Sequence, residues 1–253
     1  MTRVIAVANQ KGGVGKTTTA VNTAACLAEA GAEVLLIDLD PQCNATSGLG
    51  VEAESPERSV YGVLGARYSP SEVVLPSEVE HLRVLPACPD LAGAVIELAD
   101  VDDTEFVLKY ALRGHLKPYD YVFIDCPPSL GVLTVNGLTA AEEVLVPVQA
   151  EYYALEGLTQ LLETVELVRS RLNPSLTLLG VVVTMLDART RLGREVAAEV
   201  RSHLGSQAFE TVIPRNVRLG EAPSFGKPIS RYDPACAGSD AYFDLAKEVV
   251  SRG

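Results

Sequence analysis

The chain has 253 residues, of which 47% are hydrophobic, and carries a formal net charge of −12 at pH 7. This length and composition predict one globular domain, residues 1–253, with a sizeable core. The negative charge argues against a general attraction to nucleic acid or anionic lipid. No apolar run approaches the roughly 18–20 residues of a membrane-spanning helix.

The cysteines and the N-terminus indicate the compartment. The five cysteines are scattered and form no Cys-x-x-Cys pair, which predicts reduced thiols rather than disulfides or a zinc site. The chain runs almost directly into an apolar strand, so no signal peptide is expected. We therefore expect a cytoplasmic protein with no membrane partner.

The first motif is a glycine-rich loop, KGGVGKTT at residues 11–18, between a predicted buried strand at 4–8 and a predicted helix at 17–30. A strand, a glycine loop and a helix in this order form the context of a phosphate-binding loop. Glycines let backbone N–H groups turn toward phosphate oxygens, and the helix N-terminus adds positive potential. Lys16 supplies a charge for the terminal phosphates and the Thr17 hydroxyl is placed to ligate Mg²⁺. The predicted nucleotide-binding residues here are Lys11, Gly12, Gly13, Val14, Gly15, Lys16, Thr17 and Thr18.

The start of this loop departs from the ordinary pattern. Gln10 stands where a glycine is expected, and a second lysine, Lys11, follows it. Lys11 is close enough to phosphate to serve its own site or to reach the site of a partner subunit. The alternative is a solvated loop lysine.

A second predicted strand, 33–37, runs into Asp-Leu-Asp-Pro-Gln at residues 38–42. Carboxylates at the carboxyl end of a parallel strand face the crevice where ligands bind. Asp40 could position or activate a water, and Asp38 could hold the Mg²⁺ shell or Lys16; the alternative is two solvated turn aspartates. The small polar residues 43–50 predict a mobile loop.

A further predicted strand, in the middle of the chain, is followed by an aspartate. Two short helices are predicted within residues 51–80, a strand at 82–85, and helices at 89–99 and 104–116. The apolar strand at 119–124 then ends in Asp125. An apolar strand ending in aspartate about a hundred residues after a phosphate loop is the Walker B pattern, which places Asp125 near the Mg²⁺ shell. Residues 127–129 are interpreted as a switch segment that senses the γ-phosphate.

Strands and helices continue to alternate in the second half of the chain. Strands are predicted at 143–148, 178–185 and 209–213, and helices at 155–172, 192–204 and 241–250. This alternation predicts a twisted, mostly parallel sheet with helices on both faces, the α/β fold of P-loop NTPases.

Charge is unevenly distributed along the chain. Residues 184–232 hold eight Lys/Arg against five Asp/Glu, although the whole chain is acidic. A locally basic face would allow weak binding to the phosphate backbone without sequence readout. The alternative is an ordinary mixed surface.

The Lys-Gly-Gly-x-Gly-Lys-Thr loop resembles the deviant Walker A motif of the ParA/MinD/NifH class of ATPases. Further blocks resemble chromosomal ParA of the Soj type and span nearly the whole chain. They lie at residues 38–42, 44–50, 147–149, 151–157, 184–190 and 212–219.

This resemblance implies an ATP-sandwich homodimer with ATP/ADP and Mg²⁺ as cofactors. Lys11 would touch the partner subunit's nucleotide, and Lys11, Lys16 and Asp40 would be the catalytic residues. Asp38, Asp125 and Thr17 are the expected metal-site residues.

The resemblance also implies the macromolecular partners. The ATP dimer would bind double-stranded DNA non-specifically, with Arg189 and Arg218 at the DNA-binding positions, and would be nucleoid-associated. Pro214 and Asn216 match positions that contact the adenine end of the nucleotide. A ParB-like centromere-binding protein would stimulate slow hydrolysis and so drive chromosome or plasmid segregation. One departure is Cys43, where many relatives have glycine, which should stiffen that loop slightly.

Three other interpretations are weaker. A MinD-like membrane ATPase would need a basic amphipathic C-terminal helix, whereas residues 245–253 are mixed in charge and lack bulky aromatics. A NifH-like electron carrier would need cluster cysteines, but Cys126 abuts Asp125 and is predicted to be a buried core thiol. A metabolic P-loop kinase does not explain Lys11. No DNA-binding module precedes the loop, so operator binding is not expected.

Overall fold

The fold is built on one eight-stranded sheet, seen in a computed structural model that describes residues 2–151 and 154–253. The strand order is β3-β4-β2-β5-β1-β6-β7-β8. All neighbouring pairs are parallel except the short pair β3 and β4. The strands are β1 Arg3–Val7, β2 Val34–Asp38, β3 Leu75–Pro76, β4 Leu82–Leu85, β5 Tyr121–Asp125, β6 Glu143–Gln149, β7 Thr177–Leu186 and β8 Ala208–Pro214.

The twelve α-helices of the described chain are α1 Lys16–Glu29, α2 Asn44–Gly48, α3 Val60–Leu64, α4 Pro70–Val73, α5 Leu91–Glu97, α6 Val107–Leu112, α7 Val132–Ala140, α8 Ala154–Arg171, α9 Arg191–Leu204, α10 Val217–Glu221, α11 Ile229–Tyr232 and α12 Ala237–Ser251. Short 3₁₀ helices lie at Leu98–Asp100, Thr104–Phe106, Gly205–Gln207 and Ala222–Phe225.

The core lies on both faces of the sheet. Alternate residues of β1 enter different clusters: Val4 and Ala6 pack on one face, and Ile5 and Val7 on the other. Helices α1 and α12 cover the second face, whereas α3 and α5–α9 cover the first. A strand buried on both faces needs a continuous apolar sequence, which is what the parallel strands here have. The predicted wrapped parallel sheet is confirmed.

The sequence analysis did not predict β3, α2, α7, α10 or α11, and the physical reason is clear for two of these helices. Residues 44–48 form α2, where a mobile loop was predicted, because Thr46 is bonded through its backbone and side chain to Asp38. Helix α7 was not predicted at all. It packs closely on the end of β5: a Cβ at Gly137 would lie 3.4 Å from a methyl group of Ile124 and 2.8 Å from the sulfur of Cys126, which follows β5. Both helices depend on contacts with residues outside the helix, on or just after a strand. The spacing of apolar residues along the sequence does not reveal such contacts.

The turn into α2 is strained at Cys43. Its φ of 55° lies in the left-handed region, where a side chain costs about 1–2 kcal/mol and glycine costs little. We expect Cys43→Gly to be more stable than Cys43→Ala by about 1 kcal/mol, because both lack the sulfur and only alanine keeps the Cβ. Urea unfolding of the two variants measures this difference. Equal stabilities would show that the turn is not strained by the side chain.

Side chains from the C-terminal end of the chain bond to the backbone of β8, whose pairing with β7 is interrupted. The Glu248 carboxylate accepts hydrogen bonds from the backbone N–H groups of Glu210 and Thr211, at 2.8 and 3.0 Å. Arg252 donates to the carbonyl of Ala208 at 2.7 Å and to Glu248 at 2.7 Å. Arg252 also donates to the carbonyl of Leu179 in β7 at 3.2 Å, so these contacts satisfy backbone groups that the interrupted pairing leaves free.

Candidate functional site

The glycine-rich loop passes from the carboxyl end of β1 to the N-terminus of α1. Gly13 and Gly15 have φ values of 74° and 87°, a conformation that side chains rarely adopt. No side chain caps α1, so its first N–H groups remain available to an anion. The middle of the loop is anchored to β7, since the Thr184 hydroxyl donates to the Val14 carbonyl at 2.7 Å. This geometry is that of a preformed phosphate cradle.

Lys16 is buried beneath this loop, with 6% of its surface exposed. Its ammonium donates to the backbone carbonyl of Lys11 at 3.1 Å, which pins the start of the loop. Burial lowers the pKa of Lys16, and the carboxylates of Asp125 and Asp40 oppose that shift because they favour the ammonium form. The buried Lys16 ammonium is thus held near Asp125, the last residue of β5, and Asp40, which follows the neighbouring strand β2.

Asp125 is the least satisfied polar group of the site. It is fully buried, and neither carboxylate oxygen accepts a well-formed hydrogen bond, although the Thr17 hydroxyl is near enough to lower its pKa. Burial raises its pKa, the carboxylates of Asp38 and Asp40 raise it further, and Thr17 and Lys16 oppose the rise. A buried carboxylate without a partner is costly unless a cation or bound water satisfies it. The donor set of Asp125 and Thr17 therefore fits Mg²⁺ with its water shell.

Asp38 lies beside Asp125 in the register of β2 and β5, but both of its carboxylate oxygens already accept hydrogen bonds. Its Oδ2 accepts from the Thr46 backbone N–H at 2.8 Å and hydroxyl at 2.7 Å, and its Oδ1 accepts from the Asp40 backbone N–H at 3.1 Å. Burial raises the pKa of Asp38, and these donors oppose the rise. Asp38 therefore positions Asp40 and α2, and its contact with metal stays a prediction.

Asp40 has one carboxylate oxygen tied to its own turn. Its Oδ1 accepts from the Gln42 backbone N–H at 2.9 Å, and the residue is 7% exposed. The other oxygen, Oδ2, appears in no hydrogen bond among the described residues. The aspartate is thus oriented at the same sheet edge as the phosphate loop, as a group that positions water must be.

In the described part of the chain, no group of three or more His, Cys, Asp or Glu side chains is arranged to hold a metal ion. Mg²⁺ usually takes few protein ligands and keeps waters and substrate phosphates in its shell. The pair of Asp125 and Thr17 matches that usage. Cys126 is fully buried and burial raises the pKa of its thiol, so the prediction of a core thiol is confirmed.

Lys11 is held by its own chain in this structure. Its ammonium lies 2.7 Å from Glu151 Oε2, and the other oxygen of Glu151 accepts from the Gln149 side chain at 2.6 Å. The backbone of Lys11 is fixed as well, because its N–H donates to Asn9 Oδ1 at 2.9 Å. Asn9 in turn donates to the Pro147 carbonyl at 2.7 Å. Lys11 is therefore ordered at the mouth of the loop by residues that follow β6.

A cavity of about 240 Å³ adjoins the loop on the side of β7 and β8. Its lining includes both residues predicted to contact adenine, Pro214 and Asn216, together with Gly15, Thr18 and Met185. Asn216 caps α10 by accepting from the Arg218 N–H at 2.9 Å, which fixes its side chain at the rim. The backbone of Met185 is left-handed, with φ 52°, a strain typical of functional sites. The cavity is mostly apolar in its lining, as a base-binding pocket is.

The two predicted DNA-binding arginines are exposed and ion-paired. Arg189 makes a bidentate contact with Asp187, at 2.9 and 2.8 Å. Arg218 lies 2.8 Å from Glu221 and 3.3 Å from Asp233. Exposed pairs of this kind are weak and exchange readily. Both arginines lie close in sequence to the cavity-lining residues of β7 and α10 rather than in the phosphate loop.

Taken together, a phosphate loop at the carboxyl edge of a parallel sheet, with a buried aspartate beside it, defines the P-loop nucleotide-binding class. A family model described as an AAA domain matches residues 2–178. The chain is 58% identical over 250 residues to the chromosome-partitioning ATPase Soj of Thermus thermophilus, covering 99% of this chain and 96% of that one. It is 55% identical over 253 residues to the sporulation initiation inhibitor protein Soj of Bacillus subtilis, covering 100% of both. The chain belongs to the ParA/Soj family of chromosome-partitioning ATPases.

A solved structure is also similar over most of the chain. It is described as cobyrinic acid a,c-diamide synthase from Mycobacterium smegmatis with bound ADP and magnesium. It superposes with a TM-score of 0.86 at 41% identity, over 98% of this chain and 93% of that one. Within residues 2–151 and 154–253, no helix combines the length and apolar character needed to cross a bilayer.

Three residues of the site were given no role from the sequence. Thr46 links Asp38 to the chain after β4, because its hydroxyl also accepts from the Ala87 N–H at 2.9 Å. Asn9 bridges β1 to β6, and Glu151 binds Lys11. Each acts across strands that are distant in sequence. Asn9 comes just after a predicted strand, where ligands and loops meet. Thr46 and Glu151 lie in the blocks of family resemblance at 44–50 and 151–157, which marked them without giving them a role.

Proposed function

We propose that this chain is an ATP-dependent DNA-partitioning switch. It binds ATP and Mg²⁺ at residues 11–18, closes with a second copy into a sandwich, and then binds duplex DNA without sequence preference. Slow hydrolysis, stimulated by a ParB-like centromere-binding partner, opens the sandwich and releases the DNA. This cycle segregates chromosomes or plasmids in the cytoplasm, on the nucleoid.

The observation that carries the proposal is that two buried groups lie beneath one glycine loop. They are the Lys16 ammonium and the Asp125 carboxylate, whose oxygens accept no well-formed hydrogen bond. The loop N–H groups and Lys16 bind the phosphates, Thr17 and Asp125 hold the Mg²⁺ shell, and Asp40 positions the attacking water. When bound, Mg²⁺ neutralises charge on the phosphate oxygens. Pro214 and Asn216 enclose the adenine end of the nucleotide. Lys11 serves the partner's nucleotide.

DNA binding rests on the exposed arginines Arg189 and Arg218. A guanidinium that pairs with a carboxylate can pair with a phosphate in the same planar geometry. Because the intramolecular pairs are weak, a polyanion competes for them. Closure of two copies presents both sets of arginines at once, which raises affinity through joint engagement.

The test is binding of random-sequence duplex DNA with ATP and with ADP, each at two salt concentrations. We expect binding only with ATP, and an affinity that falls steeply as salt rises. Arg218→Ala should weaken binding and lower the slope of log affinity against log salt by about 0.9 for each DNA phosphate that is no longer neutralised.

A matched control is Arg169→Ala. Arg169 lies outside the 184–232 stretch, is paired with Glu166 at 2.8 Å, and has a side chain 51% exposed against 52% for Arg218. Its removal should leave DNA binding unchanged. Absence of DNA binding in both nucleotide states would overturn the proposal.

The runner-up function is a MinD-like membrane ATPase, which would require a free amphipathic helix near the C-terminus. Helix α12 offers no such face, since Tyr242, Leu245 and Val249 are buried against the sheet. If DNA binding is absent, ATP-dependent binding to anionic liposomes would favour this second function.

A further inference from the structure

The ion pair between Lys11 and Glu151 ties the mouth of the phosphate loop to the end of β6. One oxygen of Glu151 accepts from Lys11 at 2.7 Å and the other accepts from Gln149 at 2.6 Å. The contact of Oε1 with Gln149 therefore holds the carboxylate in one orientation, with Oε2 directed at Lys11. The two side chains are about half exposed, 45% for Lys11 and 49% for Glu151, so a third group can reach the pair from solvent.

Only the side chain of Lys11 has to move for this pair to break. The Lys11 backbone is fixed on both sides, by Asn9 Oδ1 at its N–H and by the Lys16 ammonium at its carbonyl. Rotation about the side-chain bonds carries the ammonium from Glu151 to another anion without disturbing the loop. Half-exposed ion pairs are weak enough for such an exchange.

Lys11 cannot satisfy Glu151 and a second subunit's nucleotide at the same time. Resting on the sandwich of the proposed function, we propose that Glu151 holds Lys11 in the free subunit and thereby weakens the dimer in every nucleotide state. Closure at a given protein concentration then requires the more strongly charged nucleotide in the partner subunit. The occupant that displaces Glu151 is a nucleoside triphosphate presented by a second copy of this chain.

The discrimination follows from charge. Glu151 offers Lys11 a single negative charge in a favourable hydrogen bond. A nucleoside triphosphate carries one more phosphate, and more negative charge, than a diphosphate, so it competes better for the same ammonium. The cost of leaving Glu151 is the same for both nucleotides, so without Glu151 both dimers would become tighter by the same factor. The diphosphate dimer would then form at a lower protein concentration.

The experiment compares the dissociation constant of the dimer with a non-hydrolysable ATP analogue and with ADP, by sedimentation equilibrium. Glu151→Gln keeps the size of the side chain and its contact with Gln149 but removes the charge. We expect its ATP-state dimer to be about two- to thirtyfold tighter, because two half-exposed pairs no longer have to break per dimer. We expect the same gain with ADP, so that both dissociation constants fall and their ratio stays unchanged.

The matched control is Glu54→Gln, which removes the same charge from an exposed pair with Arg58 at 2.9 Å. It should leave both dissociation constants unchanged, which separates the local effect from relief of the overall negative charge. Thermal unfolding of both variants checks that each is folded.

Three results would count against this inference in different ways. If the parent stays monomeric with the ATP analogue, the sandwich of the proposed function fails first. If the parent dimerises and Glu151→Gln behaves like Glu54→Gln, the proposed function stands and the role of Glu151 is overturned. If Glu151→Gln weakens the ATP dimer, Glu151 is an interface contact and not a resting partner of Lys11.

Discussion

Lys16→Ala is expected to reduce nucleotide affinity by about 10²–10³-fold, beyond detection in an ordinary titration. The side chain is buried beneath the loop beside Asp125 and Asp40, so its charge acts at low dielectric. Truncating one partner of a buried charged contact costs about 3–5 kcal/mol, because the opposing charge is left uncompensated. Here the uncompensated groups would be the phosphates and the two aspartates.

Calorimetric titration with ATP and Mg²⁺ measures this loss, and Lys11→Ala is the natural comparison. Lys11 is half exposed and bound to Glu151, so its removal should leave nucleotide binding by the monomer within about twofold while preventing the dimer. A Lys16→Ala protein that binds ATP like the parent would refute the assignment of the loop. Thermal unfolding measured without nucleotide shows whether each variant is folded at the temperature of the titration.

Asp40→Ala is expected to slow hydrolysis by about 10²–10⁴-fold, the usual contribution of a group that positions or activates the attacking water. Nucleotide binding should persist, because the cradle and Lys16 remain. The ATP-bound dimer should therefore accumulate and stay on DNA. Phosphate release and retention on immobilised duplex DNA measure the two effects.

Asp40→Asn distinguishes the two possible roles of this residue. The amide oxygen can still accept from the Gln42 N–H, which preserves the turn seen at 2.9 Å, but the negative charge is lost. If Asp40 acts as a base, Asp40→Asn should hydrolyse ATP as slowly as Asp40→Ala. If Asp40 only orients water, Asp40→Asn should retain part of the parent's hydrolysis rate. Fast turnover in Asp40→Ala would remove Asp40 from the mechanism.

The sequence predicted the sheet and the position of the loop because these depend on local patterns. An apolar run followed by Asp38 or Asp125 marks a buried strand and its carboxyl end without any knowledge of its neighbours. The helix starting at Lys16 was likewise recognisable from the glycines before it. Predictions of this kind use only residues adjacent in the chain.

The parts that could not be predicted depend on strand order. Glu151 meets Lys11 because β6 lies next to β1, although they are 140 positions apart. Thr46 turns the expected loop into α2 because Asp38 and Ala87 both bind it. The hydrogen bonding of Asp38 also could not be predicted, because the three donors to its carboxylate are brought together only by the fold.

The interrupted pairing of β8 has a consequence for how copies of this protein can accumulate. With Glu248 and Arg252 bonded to the backbone of an irregularly paired β8 at one end of the sheet, and only the two-residue β3 at the other, neither border is a regular template for adding strands. We therefore do not expect a high local concentration to extend the sheet from one copy to the next. Any association between copies must then use side-chain surfaces, as the proposed sandwich does.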